Sequence, residues 1–257
     1  MNSNDEAWHP LLAELDAWHA GGRLATLWWR DDDAVAPTPA LDRMLRLVER
    51  FRVPLGLAVI PARLTADLAS HLRDLPLVSV LQHGYLHRNY ATAGERAAEF
   101  GAQRPLELRL RETSEGRRIL EQFQHAVPIF VPPWNRYDRA IAPGLAQQGL
   151  RAVSAFAASE QLSGKICECN CQVDIISWRI TRGFAGLDKT VRKLTEHLRA
   201  RRLGELPIEQ ATGVLSHHLD HDDGCWEFLE AVFARTVTHP AAKWITPMDA
   251  VARIESP

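Results

Sequence analysis

Three short segments place side chains with metal-binding or proton-transfer chemistry close together in this chain. The first is Arg30-Asp31-Asp32-Asp33. Three adjacent carboxylates repel one another, and folding tolerates that poorly without a cation to offset them. The second is His83-Gly84-Tyr85-Leu86-His87. Two histidines spaced i and i+4 share one face of a helical turn, close enough to bind one metal ion. Two imidazoles and one carboxylate leave coordination positions open, as catalysis requires. The third is His217-His218-Leu219-Asp220-His221-Asp222-Asp223. A histidine there can give a proton to a leaving group. Two other readings compete. His217, His221 and Asp222 can form a second metal site, or Asp222 or Asp223 can cap a helix that starts near Gly224. The proton donor ranks first, the cap second and the second metal third.

These segments need a frame that brings them together. Apolar runs at residues 24–29, 55–60, 77–81, 127–131, 213–216 and 243–246 read as buried strands. Between them lie helical patterns. Thr38 and Pro39 form an N-cap and first-turn proline ahead of Leu41, Met44, Leu45 and Val48. Leu64, Leu68 and Leu72 mark a short helix, residues 105–124 a long one, and Val191, Leu194 and Leu198 another. A further helix is expected over residues 226–233. Alternating strands and helices imply a parallel sheet wrapped by helices. Functional residues in such folds gather where strands end. The Asp cluster, the His pair and the 217–223 segment each follow a strand, as does Pro132-Pro133-Trp134-Asn135. Asp174-Ile175-Ile176-Ser177-Trp178 adds a carboxylate and a second indole for the same pocket.

The rest of the chain is ordinary for a globular protein. It has 257 residues, 46% hydrophobic and 24% charged, with a formal net charge of −2. That balance offers no basic stripe for nucleic acid. The basic run at residues 199–202 closes a helix, where cations complement the helix dipole. No apolar run is long enough to cross a bilayer. The N-terminus lacks a signal-peptide pattern, so a cytoplasmic location is expected. Cys167, Cys169 and Cys171 alternate and read first as buried, reduced strand residues, with a soft-metal site the alternative, since structural zinc sites usually use Cys-x-x-Cys pairs. Nothing in the sequence reports an oligomeric state.

Taken in order, these segments resemble the polysaccharide deacetylase family, carbohydrate esterase family four and its relatives. The ordered motifs are Asp-Asp, His-x-x-x-His, Pro-Trp, Asp-x-x-x-Trp and Leu-x-His. They cover roughly residues 24–220. Trp28-Trp29-Arg30-Asp31-Asp32-Asp33-Ala34 and Gln82-His83-Gly84-Tyr85-Leu86-His87-Arg88-Asn89 are similar to an uncharacterised bacterial branch. The resemblance implies one domain over residues 1–257, with an N-terminal helix near 6–20 and a catalytic barrel near 24–250. That barrel is an α/β fold, a distorted (β/α) barrel of seven or eight mostly parallel strands. A divalent metal, zinc first, is implied on Asp33, His83 and His87.

By the same resemblance Asp32 is the general base, with Asp31 as base and Asp32 as ligand the alternative register. Asp174 orients the acid histidine, which is His217, or else His218. Trp134, Pro133, Trp178, Tyr85 and Asn89 are expected to contact an N-acetylated carbohydrate or a similar small amide. The backbone N–H of Tyr137 or a neighbour is the expected oxyanion donor. Two positions depart from the pattern: Val131 stands where the family has an arginine that steadies the base, and Ser177 where it has an aspartate. Arg30 is the nearest source of the missing positive charge. The implied activity is hydrolytic removal of acetyl groups. The competing reading is a catalytically degenerate barrel that binds a glycan or nucleotide-sugar.

Overall fold

The protein is described by a computed structural model covering residues 3–157, 162 and 166–255. Among the described residues nine strands occur in the order β1 (Ala25–Ala34), β2 (Leu55–Val59), β3 (Val78–His83), β4 (Ala126–Val131), β5 (Ala152–Val153), β6 (Cys167–Glu168), β7 (Val173–Asp174), β8 (Thr212–Ser216) and β9 (Ala242–Trp244). Helices α1 (Ser3–Glu6) and α2 (His9–Ala20) precede the first strand. The others are α3 (Pro39–Phe51), α4 (Leu68–Leu72), α5 (Leu106–Leu120), α6 (Ala142–Gln147), α7 (Leu187–Leu203), α8 (Asp223–Thr236) and α9 (Pro247–Glu255).

The strands form one curled α/β sheet in the spatial order β6-β5-β4-β3-β2-β1-β8-β7, with β9 on the start of β1. Every paired strand is parallel. This is the expected distorted (β/α) barrel, with eight strands in the unbroken path. It is held open where β6 and β7, at the two ends of that path, do not pair.

Period-two alternation divides β1 between two cores. Leu27 and Trp29 face outward into the helical layer, packed with Leu11, Leu15 and Trp18 of α2 and Leu41 and Met44 of α3. Trp28 faces the barrel interior with Ala58, Leu81, Val131 and Leu215. Both indoles are fully buried. Cys169 and Cys171 are buried in that interior and Cys167 packs against it, all three as free thiols. The start of α3 forms as its residues dictate: the Thr38 hydroxyl accepts the Leu41 N–H at 3.0 Å, and Pro39 fills the first turn.

Two local expectations need correction. Strand β1 does not stop at residue 29 but runs to Ala34, so the acidic cluster lies within it. In addition, no helical turn joins His83 to His87. His83 ends β3, and His87 sits in a loop at φ 56. The basic run in α7 also holds more than a dipole complement. Arg201 is fully buried and donates to Thr26 of β1, Thr212 of β8 and the Ile208 carbonyl.

Candidate active site

Each of the three acidic residues in β1 has a different partner. Asp31 points outward and is fully buried. It accepts the Ser216 hydroxyl at 2.6 Å, the His218 N–H at 2.9 Å and His218 Nδ1 at 2.5 Å. Burial raises the Asp31 carboxyl, but the charge and hydrogen bond of His218 outweigh it and hold Asp31 below its usual range. Burial lowers His218, and Asp31 in turn raises it above its ordinary value. Asp31 and His218 therefore tie β1 to the end of β8, and neither lines the cleft.

Asp32 points inward. Its Oδ1 lies 2.9 Å from Arg30 Nε and its Oδ2 3.0 Å from Nη2, of which the second contact has hydrogen-bond geometry. Arg30 is buried to 0% exposure and also donates to the Ser154 hydroxyl and carbonyl, the Ala155 carbonyl and Asn135 Oδ1. Arg30 thus supplies a positive charge beside Asp32, which Val131 cannot.

Strict alternation would turn Asp33 outward beside Asp31. Instead, Asp33 adopts φ 75, and a three-residue step along β1 from Asp31 to Ala34 matches a two-residue step along β2 from Leu57 to Val59. This bulge swings Asp33 into the same cleft as Asp32. Asp33 Oδ1 lies 3.1 Å from His83 Nε2 and 3.2 Å from His87 Nε2. The three ligand atoms all fall within 4.8 Å of one another. His83 Nδ1 sits 3.0 Å from the Val131 carbonyl, which can only accept, so Nδ1 carries the proton and Nε2 presents a lone pair. A carboxylate and two imidazole lone pairs at this spacing fit one divalent ion. Burial raises Asp33, but the hydrogen bond and charge of His83 hold it well below the carboxylate range. Burial lowers His83, and Asp32 and Asp33 together raise it. Burial and then the His83 charge push His87 down to about 4.

The loop that delivers His87 has an anchor that sequence reading missed. Glu99, fully buried, accepts the N–H groups of Tyr85 at 3.1 Å and Leu86 at 2.8 Å. Gly84 turns the chain at φ 56, and a Cβ there would collide with Glu99 Oε2 and Pro133 Cγ. Fifteen residues separate Gly84 from Glu99, and no local motif signals the pairing.

His217 faces Asp32 across the cleft, with Nε2 to Oδ2 at 3.8 Å. Its ring meets Trp178 edge-on at 4.7 Å, and its Nδ1 is buried with no hydrogen-bond partner among the described residues. Asp174 is not hydrogen-bonded to His217. It accepts the Trp178 indole N–H at 2.8 Å and the Ile176 N–H at 2.9 Å. Asp174 therefore fixes the Trp178 ring that meets His217. Burial raises the Asp174 carboxyl, against the pull of His217. Asp222 caps α8, accepting the Cys225 N–H at 2.9 Å, and His221 packs on Trp226. Of the two readings that compete with the proton donor, the geometry supports the cap, which is compatible with His217 lining the cleft.

Asp32, Asp33, His83, His87, Asp174 and His217 line one cleft of about 710 Å³ at the C-terminal ends of the strands. Trp134 and Trp178 line it too, and Trp134 packs on His87 at 4.4 Å. The other three expected substrate contacts are not among the residues that line this cleft. Pro133 is buried under Gly84, Tyr85 packs on the core formed by Phe100 and Phe130, and Asn89 Oδ1 accepts the N–H groups of Ala91 and Ala98. Tyr137 is also outside the cleft, with its hydroxyl on Glu168. A second depression, of about 750 Å³, lies at the opposite end of β1 and holds none of these groups.

No family model matches this sequence. No curated protein matches it either. Solved structures do share its fold. A Mycobacterium smegmatis protein assigned to the polysaccharide deacetylases matches 91% of this chain and 91% of its own, with a TM-score of 0.63 at 15% identity. The peptidoglycan deacetylase PdaC of Bacillus subtilis matches over 91% of this chain and 92% of its own, with a TM-score of 0.53 at 12% identity. A family 4 acetyl xylan esterase of Clostridium thermocellum, in complex with a cobalt ion, covers 90% and 93%, with a TM-score of 0.52 at 12% identity. Across about nine tenths of its length, the chain has the fold of polysaccharide deacetylases and family 4 carbohydrate esterases.

Proposed function

We propose that this protein is a metal-dependent hydrolase that removes acetyl groups from N-acetylated sugars or a related amide. The observation that carries the proposal is the convergence of Asp33, His83 and His87 at ligand spacing, in a cleft that also presents an Arg30-held carboxylate and a histidine. The fold shared with deacetylases, and the cobalt complex of one such neighbour, support the same reading.

Asp33, His83 and His87 would hold the ion, zinc being the first candidate for this donor set. When bound, a divalent ion supplies Lewis-acid polarisation of an acyl carbonyl and a lowered pKa for water. The chain's own groups do the rest. Asp32 takes a proton from the attacking water, and Arg30 fixes the direction its carboxylate faces. His217, on the far side of the cleft, gives a proton to the departing amine. Trp178 and Asp174 hold the His217 ring in place. Trp134 and Trp178 offer aromatic faces to a sugar. The products are acetate and a free amine.

Elemental analysis of protein purified in metal-free buffer and reconstituted with zinc tests this directly. About one ion per chain is expected in the parent, with loss of the ion and of acetate release in both His83→Ala and Asp33→Ala. A parent that binds no metal after reconstitution would overturn the proposal.

A further inference from the structure

Four arginines ring the mouth of the same cleft: Arg96, Arg136, Arg179 and Arg182. They arrive on three separate segments. Arg96 comes from the loop before Glu99, and Arg136 from the turn after Pro132-Pro133. Arg179 and Arg182 share one tight turn, in which the N–H groups of Ile180, Thr181 and Arg182 all point to the Ser177 carbonyl. Arg182 holds φ 54 there, a conformation with positive φ that few non-glycine residues adopt.

Elsewhere the arginines of this slightly acidic chain tend to find carboxylates. Arg104 pairs with Glu112, Arg109 with Asp138, Arg202 with Glu14 and Arg235 with Asp5. Among the described residues no ion pair involves any of the four rim arginines. Arg136 spends one N–H on the Ala97 carbonyl at 3.0 Å. Arg96 and Arg179 lie close enough to disfavour its charge, in addition to the larger effect of burial. The acidic groups of the cleft do not balance the rim. Asp32 is held by Arg30, Asp33 by the two histidines and Asp174 by Trp178, all at the floor. Asp220 lies on the rim, but no ion pair joins it to the arginines. Like charges gathered without a counter-ion destabilise the fold, and an anionic ligand relieves that repulsion.

We infer that the substrate carries a phosphate group, which the arginine rim binds while the acyl group reaches the floor. Guanidinium groups match phosphate with paired, charge-assisted hydrogen bonds, and several of them suit a dianion better than a neutral glycan. The cleft volume of about 710 Å³ lies within the range of small-molecule sites. The inference rests on the proposed acyl hydrolysis for the acyl end, but the rim can be tested without it. Ile180, 83% exposed between Arg179 and Arg182, leaves two sources open: a soluble sugar phosphate or one esterified to a lipid.

Calorimetric titration with N-acetylglucosamine, with N-acetylglucosamine 1-phosphate and with its octyl diester, at fixed ionic strength, decides the matter. The parent is expected to bind at least one phosphorylated probe tenfold or more tighter than the neutral sugar. The exposed triple variant R96Q/R179Q/R182Q should lose that preference, whereas His83→Ala should keep it. Whichever phosphorylated probe binds tighter identifies the source. Equal affinity for all three probes in the parent overturns the inference. So does a preference that survives in the triple variant, or one lost in His83→Ala, since the phosphate would then sit at the metal position. Acetate release measured alongside separates the two claims. Preference without hydrolysis leaves the rim standing and removes the deacetylase reading. Hydrolysis of the neutral sugar without preference does the reverse.

Discussion

Neighbouring residues of the same type take opposite roles in this site, and substitution separates those roles. His217 and His218 are adjacent, but one faces the cleft and the other is locked on a buried carboxylate. His217→Ala should lower kcat for acetate release by about 10²-fold or more with little change in stability, because it removes the proposed proton donor. His218→Ala leaves Asp31 buried and unpaired, which costs about 3–5 kcal/mol in chemical denaturation. A result with the roles exchanged would assign the acid to His218. Arg30 combines both kinds of effect. Arg30→Met should lose about 3–5 kcal/mol of stability by stranding Asp32. It should also lower kcat more than it raises KM, since Arg30 directs the proposed base, Asp32, without lining the cleft.

At the scale of the element, the site depends on two places where regular structure is broken. The bulge at Asp33 brings two adjacent carboxylates into one cleft, which an unbroken strand cannot do. The Gly84 turn, pinned by Glu99, carries His87 back to His83. Gly84→Ala forces a side chain against Glu99 and Pro133 at a positive φ. Zinc affinity should fall by about 10–100-fold, as when groups that support metal ligands are disturbed. Unchanged affinity in a competition titration with a chelator would show that the loop does not set the His87 position.

For the whole molecule, two half-buried histidines contribute to the response to acid. Burial pushes His197 down to about 4, with the charge of Arg201 adding to the effect, and burial also pushes His221 to about 4. Both are neutral in the folded state where the unfolded chain already protonates, from about pH 6.5 downward. Their contribution is therefore full above about pH 6.5 and is lost as pH falls toward 4. His197, bonded to Thr212 far from the cleft, isolates the effect. His197→Gln should flatten the fall in unfolding free energy between pH 6 and pH 5 by about 1.4 kcal/mol per pH unit, one proton's worth. An unchanged slope would mean that His197 titrates normally in the fold.

The sequence by itself determined the parallel α/β frame, because short apolar runs and 3.6-residue periodicity are local properties that each segment carries alone. It also determined the candidate donor set, since Asp, His and His after strands are legible as residue types at known spacing. Only the tertiary structure decided which Asp faces which partner. A one-residue bulge inverts the side-chain alternation from which a sequence reading must start. Only the structure chose His217 over His218 for the cleft, through a bond to Asp31 that spans 187 residues. It left Pro133, Tyr85 and Asn89 out of the cleft lining, and it brought arginines from three loops to one rim. Those outcomes depend on distances between segments remote in the chain, and composition and periodicity do not encode such distances.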